Sequence, residues 1–222
     1  MRRRIIITGA SDGLGLELAK SFSQKGFEVL SVSRRDPKIK NVVHLKTDLT
    51  NEDQIKKTIQ IIKDSFSSFI ALINCAGVIN IKPLDALDFR QTEELFKINV
   101  IAPMILTSGL LNLIKKNEAD IVNVGSTIGF KAYEKQCAYG ASKWAIRGFN
   151  ENLRLELKNT KVRVIGFMPG GFKTKIFEKA TGVKVNLDPY MDPKDLAKLM
   201  IYILELPKKM EVSEIIINRK SL

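Results

Sequence analysis

Tyr139 and Lys143 lie four residues apart and form the pair of side chains in this sequence best suited to proton chemistry. If the segment opens a helix, both side chains project from one face. A free tyrosine, with a pKa of about 10, exchanges protons poorly near neutrality, and a close ammonium would favour its phenolate. The alternative is a solvated helix face, because this spacing is common on helices.

Ser126 is a second candidate, thirteen residues before Tyr139. It follows the apolar run from Ile121 to Val124, which predicts a strand that ends just before the serine. Open α/β sheets bind their ligands at the carboxyl ends of strands. The sequence therefore predicts that Ser126 holds a carbonyl group and that Tyr139 protonates it.

The amino-terminal segment predicts a strand, a glycine turn and a helix. A β-branched run over residues 4–8 is followed by Gly9-Ala10-Ser11-Asp12-Gly13-Leu14-Gly15, after which Leu14, Leu18 and Phe22 recur at helical spacing. Glycines allow a close backbone approach, and the free N–H groups at the start of a helix favour a pyrophosphate. The alternative is a plain tight turn.

Strands and helices alternate along the rest of the chain. Further strands are predicted at 27–33, 42–47, 69–73, 161–168 and 214–218. Predicted helices start after Asn51, run over 89–116 and 139–157, and start again at Asp192-Pro193. The second helix is interrupted around Pro103, with Asn99 before the break. This order predicts one domain over residues 1–222, a doubly wound, Rossmann-like α/β fold with a parallel seven-stranded sheet and helices on both faces.

Two segments depart from a regular pattern. Only residues 34–41 connect the second and third strands, which is too few for the usual crossover helix. Residues 172–189 have no strong hydrophobic period and are predicted to form a mobile lid.

The formal net charge of +12 raises the question of a nucleic-acid partner. The positive charge is spread along the chain, and its longest run is Arg2-Arg3-Arg4, which fits an anionic cofactor or substrate equally well. We expect no nucleic-acid partner and no membrane association. Cys75 and Cys137 match no metal-ligand spacing, so we expect no metal, two free thiols and a reducing, cytoplasmic location.

Seven short motifs occur in a fixed order along the chain. They are Thr8-Gly9-x-x-x-Gly13-x-Gly15, Asp48-Leu49, Asn74-Cys75-Ala76-Gly77, Asn99, Ser126, Tyr139-x-x-x-Lys143 and Pro169-Gly170-x-x-x-Thr174. With this set, the whole chain resembles the short-chain dehydrogenase/reductase family. It departs from the common family pattern at Cys75 and Gly125, and it lacks a helix between the second and third strands.

The resemblance implies a role for each matching residue. Tyr139 is the expected general acid-base, Lys143 lowers its pKa and binds the nicotinamide ribose, and Ser126 polarises the carbonyl. Asn99 corresponds to the proton-relay asparagine that holds a water near the lysine. The implied cofactor-binding residues are Gly9, Ser11, Asp12, Gly13, Leu14 and Gly15 for the pyrophosphate, Asp48 and Leu49 for adenine, Asn74, Ala76 and Gly77 for the adenosine ribose, and Pro169, Gly170, Phe172 and Thr174 for the carboxamide. Asp48 has the alternative of being only a turn residue.

The end of the second strand favours NADP(H) over NAD(H), with NAD(H) as the alternative cofactor. Members that use NAD tend to carry an acid there, whereas this chain has Ser33, Arg34 and Arg35. Arginine offers a planar fork to a phosphate. Asp12 weakens this prediction, since some NADP(H) users carry a basic residue in that position. The alternative is that both arginines are ordinary charged residues of the protein surface.

The expected function is hydride transfer between a nicotinamide and a carbonyl or alcohol substrate, and the alternative is a non-catalytic dinucleotide-sensing protein. A homodimer or homotetramer is expected through the helices at 101–116 and 139–157.

The predicted pocket walls are apolar and suit a lipophilic carbonyl: Ile79, Ile81, Ile128, Phe130, Phe172 and Ile176. Four lysines of the lid would instead favour an anion, with ordinary surface as a further alternative: Lys173, Lys175, Lys179 and Lys184.

Overall fold

Seven parallel strands form a single sheet in the computed structural model, which describes residues 3–220. Arg2 of the longest basic run lies outside these residues. The strands are β1 (Arg4–Thr8), β2 (Glu28–Ser33), β3 (Val42–Lys46), β4 (Ala71–Asn74), β5 (Asp120–Val124), β6 (Val164–Pro169) and β7 (Glu214–Ile217). Their order is β3-β2-β1-β4-β5-β6-β7, so the direction of winding reverses between β1 and β4. The predicted doubly wound fold is confirmed, and its switch point lies beside β1.

The described residues contain seven α-helices. They are α1 (Gly13–Gln24), α2 (Glu52–Ser65), α3 (Phe89–Phe96), α4 (Ala102–Asn117), α5 (Cys137–Leu157), α6 (Ile176–Thr181) and α7 (Pro193–Glu205). Of these, α1, α2, α4, α5 and α7 cover the two faces of the sheet. Asp12, Asn51, Asp88 and Asp192 cap four of these helices by accepting backbone N–H groups. The caps at Asn51 and Asp192 agree with the sequence prediction.

The hydrophobic core lies in two layers, one on each face of the sheet. Successive side chains of β1 point into opposite layers. Ile6 packs into the layer between the sheet and the helices α2, α4 and α5. Ile5 and Ile7 point the opposite way, into the layer beneath α1 and α7. All three are fully buried, and each such side chain contributes about 1.5–3 kcal/mol of hydrophobic stabilisation. This two-sided burial explains why β1 is a continuous apolar run.

The short connection between β2 and β3 contains no helix, as the sequence predicted. The strands still pair in parallel, from Val29 opposite Val42 to Ser33 opposite Lys46. Lys38 and Asn41 have positive φ angles of 53° and 61°, and the Asp36 carboxylate accepts a hydrogen bond from the Lys38 amide at 2.8 Å. These left-handed residues reverse the chain twice within a few positions.

Other predicted boundaries shift by a few residues. β4 begins at Ala71 rather than at residue 69, and β6 begins at Val164 rather than at residue 161. The predicted interruption near Pro103 is a π-helical turn at Lys97–Ile101, immediately before α4. The segment 172–189, which has no strong hydrophobic period and is predicted to form a lid, contains the short helix α6.

The segment Phe89–Asn117 is long and apolar enough to cross a membrane by length and composition alone. Half of its most apolar stretch is buried within the fold, where Leu106, Leu110 and Ile114 pack into the core layer of α2. Its hydrophobicity therefore belongs to a core helix.

A buried ion cluster at the amino-terminal ends of β5 and β6 was missed by the sequence analysis. The Arg163 guanidinium donates to both carboxylate oxygens of Asp120 at 2.6 and 3.0 Å, and the Lys208 ammonium contacts the same carboxylate at 2.6 Å. Arg163 also donates to the carbonyls of Leu204, Leu206 and Met210, which follow or end α7. The cluster ties the chain after α7 to the sheet.

We predict that Arg163→Met lowers the free energy of unfolding by about 3–5 kcal/mol, since it leaves the Asp120 carboxylate buried without its main partner. Lys161→Met is the matched control, because its ion pair with Glu118 is exposed and contributes less than about 1 kcal/mol. Urea unfolding measures both. Equally small decreases in the free energy of unfolding of the two variants would contradict the prediction.

Candidate active site

A cleft of about 830 Å³ opens at the carboxyl ends of the strands, as expected for a doubly wound sheet. Most of the residues predicted for the site line this cleft: Gly9, Ser11, Asp12, Gly13, Leu14, Gly15, Ser33, Arg34, Arg35, Leu49, Ala76, Gly77, Ser126, Tyr139, Lys143, Pro169, Gly170, Phe172 and Thr174. Asp48, Asn74 and Asn99 are the predicted residues that do not line it.

The glycine turn brings three backbone segments into contact. Gly9 has a φ of +71°, and a Cβ at this position would lie 2.6 Å from the Ala76 Cα. A Cβ on Gly15 would collide with the Gly9 carbonyl oxygen. The Thr8 hydroxyl accepts hydrogen bonds from the Cys75 and Ala76 amides at 3.0 and 3.1 Å and fixes the same contact. The turn thus presents bare backbone at the start of α1, and this fits a dinucleotide pyrophosphate.

Asp12 links the glycine turn to two other segments. Its carboxylate accepts a hydrogen bond from the Gly13 amide at 2.8 Å and lies 3.4 Å from the Arg35 guanidinium. It also pairs with Lys179 of α6. Burial alone would raise the pKa of Asp12, but the hydrogen bonds from Lys179 and Gly13 and the two nearby cations bring it below its usual value. Asp12 stays ionised and holds the lid segment against the turn.

Tyr139 and Ser126 lie on the same wall of the cleft. Burial raises the pKa of the Tyr139 phenol, and the neighbouring Ser126 side chain acts in the opposite direction. From the sequence, the Lys143 ammonium is expected to lower this pKa. In this structure the burial of the phenol dominates, so Tyr139 is a neutral phenol at neutral pH.

Lys143 is buried one helical turn after Tyr139, with 5% of its surface exposed. Its ammonium lies 5.7 Å from the centroid of the Tyr139 ring and donates a hydrogen bond to the Val124 carbonyl at 3.1 Å. A Cβ at Gly77 would lie 3.7 Å from the same nitrogen. Burial lowers the pKa of Lys143 to about 8.

Asn99 lies in the π-helical turn behind the cleft wall. Its side chain accepts a hydrogen bond from the Val78 amide at 2.9 Å and donates to the Ser142 hydroxyl at 3.1 Å. Ser142 in turn donates to the Tyr139 carbonyl at 2.7 Å. Pro103, four residues after Asn99, has no N–H to donate to the Asn99 carbonyl in an α-helical pattern. The side chain of Asn99 therefore joins the loop after β4 to α5.

Asn74 and Asp48 are occupied by contacts within the protein. The Asn74 amide donates to Asn123 at 2.7 Å inside the sheet, and Asn123 donates to Asn150 of α5 at 2.6 Å. The Asp48 carboxylate accepts hydrogen bonds from the amide and hydroxyl of Thr50 at 2.9 and 2.8 Å. These contacts fit a turn role for Asp48, and the adenine contact stays a prediction.

Only some of the residues predicted to form the walls of the substrate pocket line the cleft. Four of them do so, namely Ile79, Ile128, Phe172 and Ile176. Ile81 and Phe130 do not, and the Phe130 ring instead packs 4.1 Å from the Arg147 guanidinium. Among the four predicted lid lysines, Lys179 lines the cleft. Lining residues that the sequence analysis missed include Lys131, Tyr133, Gln136, Tyr190 and Arg219.

A family model described as short chain dehydrogenase matches residues 3–183. The chain belongs to the short-chain dehydrogenase family. An oxidoreductase of Listeria monocytogenes is 28% identical over 238 residues, which cover 98% of this chain and 96% of that protein. The 3-amino-tetrahydro-pyrrolizinone reductase of Xenorhabdus hominickii is 32% identical over 201 residues, which cover 87% of this chain and 70% of that protein.

Solved structures of other short-chain dehydrogenases share the fold. The alcohol dehydrogenase of Thermococcus sibiricus, complexed with 5-hydroxy-NADP, has a TM-score of 0.90 at 18% identity and covers 100% of this chain and 98% of its own. A 4-hydroxyisoleucine dehydrogenase complexed with NADH has a TM-score of 0.87 at 24% identity and covers 98% of both chains.

Together, the family match and the relatives named as oxidoreductases show what class of enzyme this is. This short-chain dehydrogenase interconverts CH–OH and C=O groups of small molecules with NAD(P)(H). The alternative of a non-catalytic sensor is not supported.

The burial of Lys143 predicts a change in stability with pH. Its pKa falls from 10.5 to about 8 on folding, and each unit corresponds to about 1.4 kcal/mol, so the charged lysine costs roughly 3 kcal/mol below pH 8. Lys143→Met should therefore raise the free energy of unfolding at pH 7 by up to roughly 3 kcal/mol. Between pH 8 and 10.5 the unfolded chain keeps a proton that the folded lysine has lost, so wild-type stability rises with pH and the difference narrows.

Urea unfolding of both proteins at pH 7 and pH 10 measures this difference. Lys158→Met, at the exposed end of α5, controls for the loss of one positive charge. A difference between wild type and Lys143→Met that does not change with pH would contradict the prediction.

Proposed function

We propose that this short-chain dehydrogenase uses Tyr139 as the proton donor and acceptor, with Ser126 and Lys143 as its partners. The observation that carries the proposal is the convergence of these three side chains on one wall of the cleft, although Ser126 lies on a different element from the other two. When bound, a nicotinamide dinucleotide supplies the hydride chemistry that amino-acid side chains lack.

Each partner contributes a different part of the proton transfer. The neutral Tyr139 phenol donates its proton to a carbonyl oxygen during reduction and accepts it back during alcohol oxidation. The Ser126 hydroxyl donates a hydrogen bond to the same oxygen and stabilises the charge that develops there. The buried Lys143 ammonium favours the phenolate that remains after donation. The π turn at Asn99 positions α5, and the water-holding role implied for Asn99 stays a prediction.

We predict that Tyr139→Phe lowers turnover by about 100- to 10,000-fold, because it removes the positioned acid-base. Dissociation constants for the dinucleotide should stay within about twofold, since the ring and its packing remain. Tyr202→Phe, exposed on α7, is the control. Steady-state kinetics over a panel of ketones and aldehydes, with cofactor binding measured by calorimetry, tests this. Substantial turnover by Tyr139→Phe would exclude Tyr139 as the proton donor.

We also propose that NADP(H) is the preferred cofactor. Arg34 and Arg35 line the cleft after β2, and Arg34 is close enough to help lower the pKa of Asp48. Ser33 donates a hydrogen bond to the Arg35 carbonyl at 2.8 Å and holds the start of this loop. Because Arg35 is shared with Asp12, Arg34 is the better placed cation for a 2′-phosphate.

Arg34→Ala should weaken NADPH binding by about ten- to a hundredfold, as expected for the loss of a charge-assisted hydrogen bond. Binding of NADH should change little, because NADH has no 2′-phosphate. Arg90→Ala on the exposed start of α3 is the control. Equal catalytic efficiency of the wild type with NADH and NADPH would show that Arg34 does not recognise the phosphate.

A homodimer or homotetramer also stays a proposal, supported by exposed apolar side chains on the π-helical turn, α4 and α5. Ile101, Ile105 and Trp144 are 45%, 43% and 52% exposed, which suits burial against a second copy. The cytoplasmic location stays a prediction as well, and the free thiols of Cys75 and Cys137 support a reducing compartment.

Ile105→Glu should shift the protein toward the monomer in sedimentation velocity at micromolar concentration, because it places a charge in an apolar contact. Val43→Glu, on the exposed edge strand β3, is the control and should leave the distribution unchanged. A wild type that sediments as a monomer would end this proposal.

A further inference from the structure

The charges that line the cleft are distributed unevenly. Asp12 is the single acid among the described residues of the lining, and it lies in the glycine turn beside Arg35 and Lys179. At the other side of the site, the lining contains Lys131 and Arg219. Within residues 3–220 neither of these two cations forms an ion pair. The site therefore contains uncompensated positive charge near Ser126, away from the glycine turn.

The fold places Arg219 next to the segment that carries Ser126. The Gly170 amide donates to the Ile217 carbonyl at 2.7 Å and extends the pairing of β6 with β7. A Cβ at Gly170 would lie 3.3 Å from the Arg219 amide nitrogen and 3.6 Å from the Thr127 side chain. Arg219 thus starts beside Gly170, which also contacts Thr127, the residue that follows Ser126.

The Arg219 guanidinium is held in a defined position. It stacks over the Tyr190 ring at 4.7 Å from the centroid, and Tyr190 packs closely against Gly171, where a Cβ would lie 2.8 Å from the ring. Stacking on an aromatic face leaves the edge of the guanidinium free for two parallel hydrogen bonds to a carboxylate. The arginine is therefore pre-organised for a planar anion.

Lys131 lines the same cleft and follows Ser126 closely along the chain. Its amide donates to the Thr127 carbonyl at 3.2 Å, so it lies on the turn that begins at Ser126. The lining of the same cleft also contains apolar side chains, including Ile128, Val185 and Leu187. A short carbon chain between a carbonyl and an anionic group fits such a lining better than a bare anion does.

We propose that Arg219 and Lys131 bind a carboxylate of the substrate, so that the enzyme acts on oxo acids and the matching hydroxy acids. This inference rests on the proposed function, because it takes Ser126 and Tyr139 as the groups that hold the reacting oxygen. Arg219 supplies the paired hydrogen bonds, and Lys131 adds a second positive charge. A neutral lipophilic carbonyl would leave both cations without a partner.

The test compares straight-chain 2-, 3- and 4-oxo acids with their amides, which have the same length and no charge. Catalytic efficiency of the wild type should be at least about tenfold higher for the best acid than for its amide. Arg219→Gln should raise KM for that acid by about ten- to a hundredfold, the size expected for one charge-assisted contact. KM for the amide should change less than about twofold. Lys220→Gln is the matched control, because Lys220 is adjacent and does not line the cleft.

A second readout does not depend on turnover. A straight-chain dicarboxylate that cannot react should inhibit the wild type competitively, and Arg219→Gln and Lys131→Gln should both weaken this inhibition. Equal efficiency with acids and amides, or equal effects of Arg219→Gln on both, would overturn the inference and leave the proposed function intact. An absence of turnover with every acid, amide, ketone and aldehyde would overturn the proposed function and this inference with it.

Discussion

The burial of the Lys143 ammonium is the constraint on which the rest of the site depends. Removing a charge from water is costly, so the fold must provide polar groups close to it. The Val124 carbonyl supplies a direct hydrogen bond, and Asn99 and Lys143 both approach the bare backbone of Gly77. The backbone of α5 also packs closely against Gly129, where a Cβ would lie 3.2 Å from the Lys143 carbonyl oxygen. The ends of β4 and β5 and the start of α5 therefore have to meet at one point.

Two polar networks maintain that meeting point. The chain of amides from Asn74 through Asn123 to Asn150 connects β4, β5 and α5 inside the protein. The second network runs from Val78 through Asn99 and Ser142 to the Tyr139 carbonyl. Buried hydrogen bonds of this kind add little net stability, but an unmatched partner costs about 1–3 kcal/mol, so they fix the relative position of the elements. The elements that carry the phenol and the ammonium are held together largely by side chains that do not line the cleft, those of Asn74, Asn99, Asn123, Ser142 and Asn150.

Electrostatics then divides the cleft into regions. Around the glycine turn, the Asp12 carboxylate is shared between Arg35 and Lys179, and Arg34 is left for a further anion. In the centre, burial raises the pKa of Tyr139 and lowers that of Lys143, so both side chains favour their uncharged forms. The lining further contains the positive side chains of Lys131 and Arg219 together with apolar residues. The cleft thus combines positively charged parts with a buried centre.

The sequence by itself determined the order of the elements and most of the site. The apolar run of β1, the glycines that follow it and the Tyr139-x-x-x-Lys143 spacing are local patterns. Such patterns can be recognised in the sequence without knowing which strands pair. The sequence also indicated that no helix connects β2 and β3, because the segment between these strands is too short for one.

Only the tertiary structure decided which predicted residues reach the cleft and what their environment does to them. Asn74 and Asn99 follow the expected motifs, yet their side chains bind Asn123 and Val78 instead of lining the cleft. The direction of the Tyr139 pKa depends on its burial, which no spacing reveals. The ion cluster of Asp120 with Arg163 and the approach of Arg219 to Thr127 join residues far apart in sequence. Such contacts have no local signature, because packing of the sheet brings their elements together only after the chain has folded.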